Sequence, residues 1–78
     1  MTAYKIDTIL INLFKQFFAI DTINTDINFF DMGITSVELL GICNELSKRL
    51  NKEINIIMLY EHPTISLLSK ELAAVIEV

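Results

Sequence analysis

Ser36 is the residue whose surroundings best suit covalent chemistry. It stands in the run Phe29-Phe30-Asp31-Met32-Gly33-Ile34-Thr35-Ser36-Val37-Glu38-Leu39-Leu40, where a glycine-containing loop passes into an amphipathic pattern. A hydroxyl at the first residue of a helix is exposed and rigidly placed, beside backbone N–H groups that the helix leaves unpaired. That seat suits a phosphate ester, because the N–H groups and the positive end of the helix dipole both favour an anion. It is a poor seat for a catalytic nucleophile here. A serine hydrolase needs a base to activate the hydroxyl and donors for an oxyanion. The only histidine, His62, lies beyond the next predicted helix, and no Gly-x-Ser-x-Gly elbow is present. Cys43 is the only cysteine, and its place in an apolar stripe reads as a small buried hydrophobe. One Cys and one His cannot close a zinc site, so no metal centre is expected.

Four predicted helices must position Ser36. Residues 3–18 carry Ile6, Ile9, Leu10, Leu13, Phe14 and Phe17 at helical spacing, with Thr2 as a candidate cap. Ile11 and Phe18 fall off that stripe and either widen it or stay exposed. Residues 19–35 form a connection rich in Asp, Asn and Thr, long enough to suggest a functional loop. Ile20, Ile23, Ile27, Phe29 and Phe30 are expected to pin it to the bundle, with one helical turn at Asp26–Phe30.

The second helix, residues 36–50, has the best-marked start. Thr35-x-x-Glu38 is a capping box, and Ile34 and Leu39 occupy the two positions of a hydrophobic staple. Ser36 is thereby its first residue. Leu39, Cys43, Leu46 and Leu50 make the buried stripe, with Ile42 at its edge. Val37 and Gly41 point away from it, and Leu40 flanks it. Asn51 suits a left-handed stop. Lys48, Arg49 and Lys52 read as a solvated helix end, where cations suit the dipole. A short third helix, residues 56–61, is capped by Asn55 and stopped by His62-Pro63. Its inward residues are Ile56, Leu59 and Tyr60. A fourth helix runs from Thr64 or a neighbour to about Glu77, with Ile65, Leu68, Leu72 and Val75 or Ile76 inward.

Composition agrees. Seventy-eight residues make one domain at most, and 53% hydrophobic content supplies a core and excludes a disordered chain. With two glycines and one proline the chain lacks the turns of an all-β fold. A net charge of −4 argues against nucleic acid, which needs a basic face, and favours basic protein partners. A lone cysteine suits a reducing cytosol. No run of about 18 apolar residues exists to span a membrane. Asp7, Asn12 and Lys15 interrupt the apolar start, so it reads as a helix of the fold rather than a signal peptide.

These residues carry a family resemblance. Phe29-Phe30-Asp31-x-Gly33-x-x-Ser36, followed by Val37 and Leu40, resembles the attachment motif of acyl and peptidyl carrier proteins. Leu50, Glu53-Ile54 and Leu59-Tyr60-Glu61-His62-Pro63-Thr64-Ile65 look like the downstream signatures of carriers in polyketide and nonribosomal peptide assembly. The resemblance covers nearly the whole chain and implies an all-α four-helix bundle with a short third helix and a long loop between helices 1 and 2. It implies a single carrier domain over 1–78, with no catalytic activity of its own. Ser36 would bear a 4′-phosphopantetheine arm, placed by a phosphopantetheinyl transferase using coenzyme A. The arm's thiol would hold an acyl or aminoacyl group as a thioester. An adenylating or acyl-loading enzyme would charge it, and downstream synthase, condensation or thioesterase enzymes would take the cargo.

Two departures from the family pattern stand out. Thr35 replaces the aspartate frequent before the serine, which keeps the cap and removes a charge near the transferase's metal. Asn55 replaces a frequent proline or serine. The surface expected to meet partners comprises Asp31, Val37, Glu38, Leu40 and Glu45. Asn44, Lys48 and Arg49 make the second helix less acidic than in carriers of fatty acid synthesis, which leans toward a specialised pathway. The implied protein is a cytoplasmic monomer, and Met1 with short flanks favours a stand-alone chain. The competing reading is an unmodified helical docking module built on the same bundle, with the same exposed Val37 and Leu40.

Overall fold

The computed structural model describes residues 3–76, with side chains from residue 5 onward. Thr2 as a cap and Glu77 as a helix end lie outside the described residues. Four helices follow one another: α1 (Ala3–Phe18), α2 (Ser36–Leu50), α3 (Ile56–Glu61) and α4 (Ile65–Ile76). No strand occurs among the described residues, so the all-α bundle with a short third helix and a long first loop is the fold observed.

The helices form because each has an apolar stripe to bury. Ile6, Leu10, Leu13 and Phe14 of α1 enter one core with Leu39, Ile42, Cys43 and Leu46 of α2, Leu59 of α3, and Ile65, Leu68 and Leu72 of α4. Helical spacing places each set on one side of its helix. The most extensive helix–helix contact of α1 is with α4. Its contact with α2 is antiparallel: Phe18 lies near Glu38, while Leu13 and Gln16 lie near Glu45 and Arg49.

The inward face of α1 differs from its predicted stripe at one end. Phe17, expected inside, is 45% exposed, while Phe18 packs against the core. The cause is local. Phe14 already occupies the space beneath the loop, stacked on Phe29 at 5.0 Å, and Phe18 tilts against Phe14 at 6.0 Å. Phe17 instead lies over Gly41 of α2, where an added Cβ would meet its ring at 2.9 Å. Gly41 therefore faces α1 rather than open solvent. Ile11 joins the packed residues, Ile42 is fully buried rather than peripheral, and Leu50 is half-buried.

Phe29 anchors the long loop. Its side chain is fully buried. Its N–H donates to the carbonyl of Pro63 at 2.8 Å, and its own carbonyl accepts from Met32 and Ile34. The loop's helical turn falls at residues 28–33 rather than at Asp26–Phe30. The Asn28 side chain accepts from Phe30 N–H at 2.8 Å, and the chain turns after it, the local bonding by which asparagine starts turns. Gly33 closes the turn with φ +85°, a conformation open to glycine. Ile23 packs against the core, but Ile27 and Phe30 stay exposed. Farther on, Ser66 Oγ–H donates to Asp26 and Ser66 N–H to the carbonyl of Thr25, tying the start of α4 to the loop.

The Asn55 and Asn51 caps are as predicted, and of the candidates for the start of α4 it is Thr64 that caps it. Asn55 Oδ1 accepts from Ile57 N–H at 2.9 Å at the start of α3. Thr64 Oγ1 accepts from Leu67 N–H at the start of α4. Asn51, at φ 50° and ψ 44°, ends α2. Within α3, Leu59 is buried and Ile56 packs on the core, but Tyr60 turns outward and stacks on Phe30 with centroids 6.0 Å apart. Of the two alternatives at the end of α4, Ile76 packs inward and Val75 is exposed.

Candidate functional site

The site is the start of α2. Thr35, at φ −86° and ψ 164°, is its N-cap. Thr35 Oγ1 accepts from Glu38 N–H at 3.2 Å, and Glu38 Oε1 accepts from Thr35 N–H at 2.9 Å and from the Thr35 hydroxyl at 3.0 Å. Ile34 and Leu39, the staple residues, are both buried. The first turn is thus held by polar bonds outside and apolar packing inside. Thr35→Ala is expected to destabilise the chain by about 1 kcal/mol, the usual loss of a cap, while Thr35→Asp should be close to neutral. Urea melts check both, and an undiminished alanine variant would refute the capping box.

Ser36 follows as the first helical residue, and it is exposed. Among the described residues the N–H groups of Ser36 and Val37 make no hydrogen bond, since the cap takes Glu38 N–H and the Thr35 carbonyl takes Leu39 N–H. A phosphodiester on Ser36 Oγ would meet those two donors and the positive helix end. The residues present therefore fit a phosphate-linked group.

Val37 is 80% and Leu40 48% exposed, so two apolar side chains flank the serine without serving the core. Asp31 is exposed on the turn leading into α2. Glu38 is half-buried, its carboxylate engaged by the cap. Glu45 sits apart from this group. Nine residues from Ser36, it points about half a turn around the helix, lining a groove with Leu13, Gln16, Phe17, Gly41 and Arg49. There it pairs with Arg49 at 3.5 Å, and Arg49 also donates to Gln16 at 2.8 Å. The structure therefore brings Ser36, Val37 and Leu40 to one face and leaves Glu45 beside α1.

Charge is distributed unevenly around the site. Residues 16–47 hold Asp21, Asp26, Asp31, Glu38 and Glu45 and no lysine or arginine, while Lys48, Arg49 and Lys52 gather at the far end of α2. The loop leading to Ser36 is acidic, with Lys15 in the last turn of α1 before it.

The other candidate groups are structural or remote. Cys43 is buried and its thiol donates to the Ile54 carbonyl at 3.1 Å. Desolvation by burial pushes its pKa up, so the unreactive thiol form is favoured. Ser47 Oγ donates to the Cys43 carbonyl and accepts from Ile54 N–H, a clamp that the sequence reading missed. His62 caps α3 and faces Glu71 of α4 at 3.8 Å. Phe30 on Tyr60 is a second missed contact, since neither residue's periodicity reports a partner 30 positions away. Among the described residues no cluster of three or more His, Cys, Asp and Glu could hold a metal ion, and no helix is long and apolar enough to cross a membrane.

Comparison with known proteins agrees with this geometry. A model of the phosphopantetheine attachment site family matches residues 8–72. Bacitracin synthase 1 of Bacillus licheniformis is 32% identical over 56 residues, 72% of this chain and 1% of that protein's length. A type II acyl carrier protein from Streptomyces verticillus involved in bleomycin biosynthesis superimposes with TM-score 0.86 at 16% identity, over 94% of this chain and 88% of that one. A free-standing peptidyl carrier protein from an Acinetobacter baumannii secondary metabolic pathway gives TM-score 0.86 at 23% identity, over 94% of both chains. At these identities the superpositions speak for the fold.

Proposed function

The chain belongs to the phosphopantetheine attachment site family, and from that premise we propose that Ser36 bears the arm and that the chain is one carrier unit. The observation that carries the reading is an exposed serine hydroxyl at the first residue of a doubly capped helix, within the residues the family matches. The family is one of carriers rather than catalysts. When bound, the arm supplies a thiol that holds cargo as a thioester. The protein's own part is to hold the Ser36 hydroxyl clear of the bundle and to steady the phosphate with the N–H groups of α2.

The cargo pathway is polyketide or nonribosomal peptide assembly. The bacitracin synthase segment supports this. Partners are then a phosphopantetheinyl transferase, an adenylating or acyl-loading enzyme, and a downstream synthase, condensation or thioesterase enzyme. Cytoplasmic residence and a monomeric state accord with the role. Partners meet the chain around Ser36, with Val37 and Leu40 as the apolar centre, and Asp31 and Glu38 as an acidic rim that mainly sets the on-rate. Glu45 adds charge from the side of α2.

The test is acyl transfer. The arm-bearing protein, incubated with a loading enzyme, should take up cargo that neutral hydroxylamine releases. Val37→Asp should slow that transfer about tenfold or more, as expected for an apolar anchor at an interface centre. Its stability should change by no more than about 0.5 kcal/mol, because the side chain is exposed. Normal transfer by a folded Val37→Asp variant would move the recognition surface elsewhere.

A further inference from the structure

A groove between α3 and α4 takes no part in the Ser36 site. Asn55, Ile57, Met58, Glu61 and His62 line it from the α3 side and Glu71 from α4, around about 240 Å3. Ile57, 55% exposed at its edge, and Met58 form the apolar part of the lining. The charged walls are both acidic. His62, the cap of α3, faces Glu71 across the groove, while Glu61 has no such neighbour among the described contacts. Glu61 is the last residue of α3, and that helix has no basic residue in its last turn, although the negative end of a helix dipole favours a cation. Glu71 adds a second carboxylate to the same groove. Its approach to His62 Nε2, 3.8 Å, is longer than a hydrogen bond, so its oxygens keep room for a donor.

We propose that this groove receives an arginine side chain of a partner protein. The match is one of charge and shape. A guanidinium carries five N–H donors in a plane and can serve two carboxylates, while its aliphatic stem lies on Ile57 and Met58. A purely apolar anchor would desolvate Glu61 and Glu71 without pairing them. A lysine offers a more strongly hydrated point charge and less contact with the apolar lining. The contact would give the carrier a second foothold, away from Val37 and Leu40.

The test uses the unmodified 15N-labelled protein at low ionic strength, titrated with N-acetyl-arginine amide and, in parallel, the lysine and leucine amides. The arginine probe should give saturable amide shifts centred on Ile57, Met58, His62 and Glu71, with the lysine probe at least twofold weaker and the leucine probe without effect. Glu61→Gln and Glu71→Gln, singly and together, should weaken the arginine response, at least fivefold in the double variant, with melting temperatures as controls. If the double variant unfolds, the single variants decide. Shifts spread equally over Asp21, Asp26 and Asp31, an equal response to leucine amide, or a response unchanged in folded variants would overturn the proposal. No arm is present in the experiment, so its outcome is independent of whether Ser36 is modified.

Discussion

Ser36→Ala is expected to abolish arm attachment completely while leaving the fold intact. The hydroxyl is exposed, and the helix start is held by Thr35, Glu38, Ile34 and Leu39 rather than by Ser36. Removing one exposed oxygen should therefore change stability by no more than about 0.5 kcal/mol. No other serine shares the seat: Ser47 is bonded to the Cys43 carbonyl, Ser66 to Asp26, and Ser69 to the Ser66 carbonyl. Coenzyme A, a transferase and the alanine variant should give an unshifted mass beside a native melt. Attachment at another residue would displace the site and leave the carrier reading standing.

Phe29→Ala should produce the largest loss of stability, about 3–5 kcal/mol, as for other buried phenylalanines truncated to alanine. Phe29 joins three parts of the molecule: its ring stacks on Phe14 of α1, its N–H reaches Pro63 before α4, and its carbonyl holds the turn through Met32 and Ile34. Small domains have few kcal/mol to spare, so the variant should be partly unfolded at 37 °C. Modification should fall in parallel, because the turn that delivers Ser36 is the part released. A Phe29→Leu variant, keeping most of the apolar volume, should recover much of both. A Phe29→Ala protein that melts within 1 kcal/mol of the parent would show that the loop is anchored elsewhere.

The helix boundaries and the site were largely legible because both rest on short-range chemistry. The capping box, the Asn55 and Asn51 caps and the His62-Pro63 stop each act within a few residues, and each appears where the sequence places it. The misplacements involve contacts between distant segments. Periodicity assigns Phe17 and Phe18 to faces of an isolated helix, but a glycine 24 residues beyond Phe17 makes room for its ring, and Phe18 packs against the core beside a groove it shares with Met32, Gly33 and Ile34 of the loop. Tyr60 turns outward because Phe30 offers an aromatic face there. The loop's turn moved because Asn28 bonds locally to Phe30 N–H, a choice that loop composition alone leaves open. Glu38 and Glu45 share a charge and a predicted surface, yet one completes a helix cap and the other pairs with Arg49 beside α1.

The most direct test of the central claim is the intact mass of the wild-type protein after incubation with coenzyme A and a broad-range phosphopantetheinyl transferase, followed by fragmentation. The account predicts a single added 4′-phosphopantetheine arm, carried entirely by the peptide containing Ser36. A wild-type mass unchanged across several active transferases, with a known carrier modified in the same reactions, would contradict it.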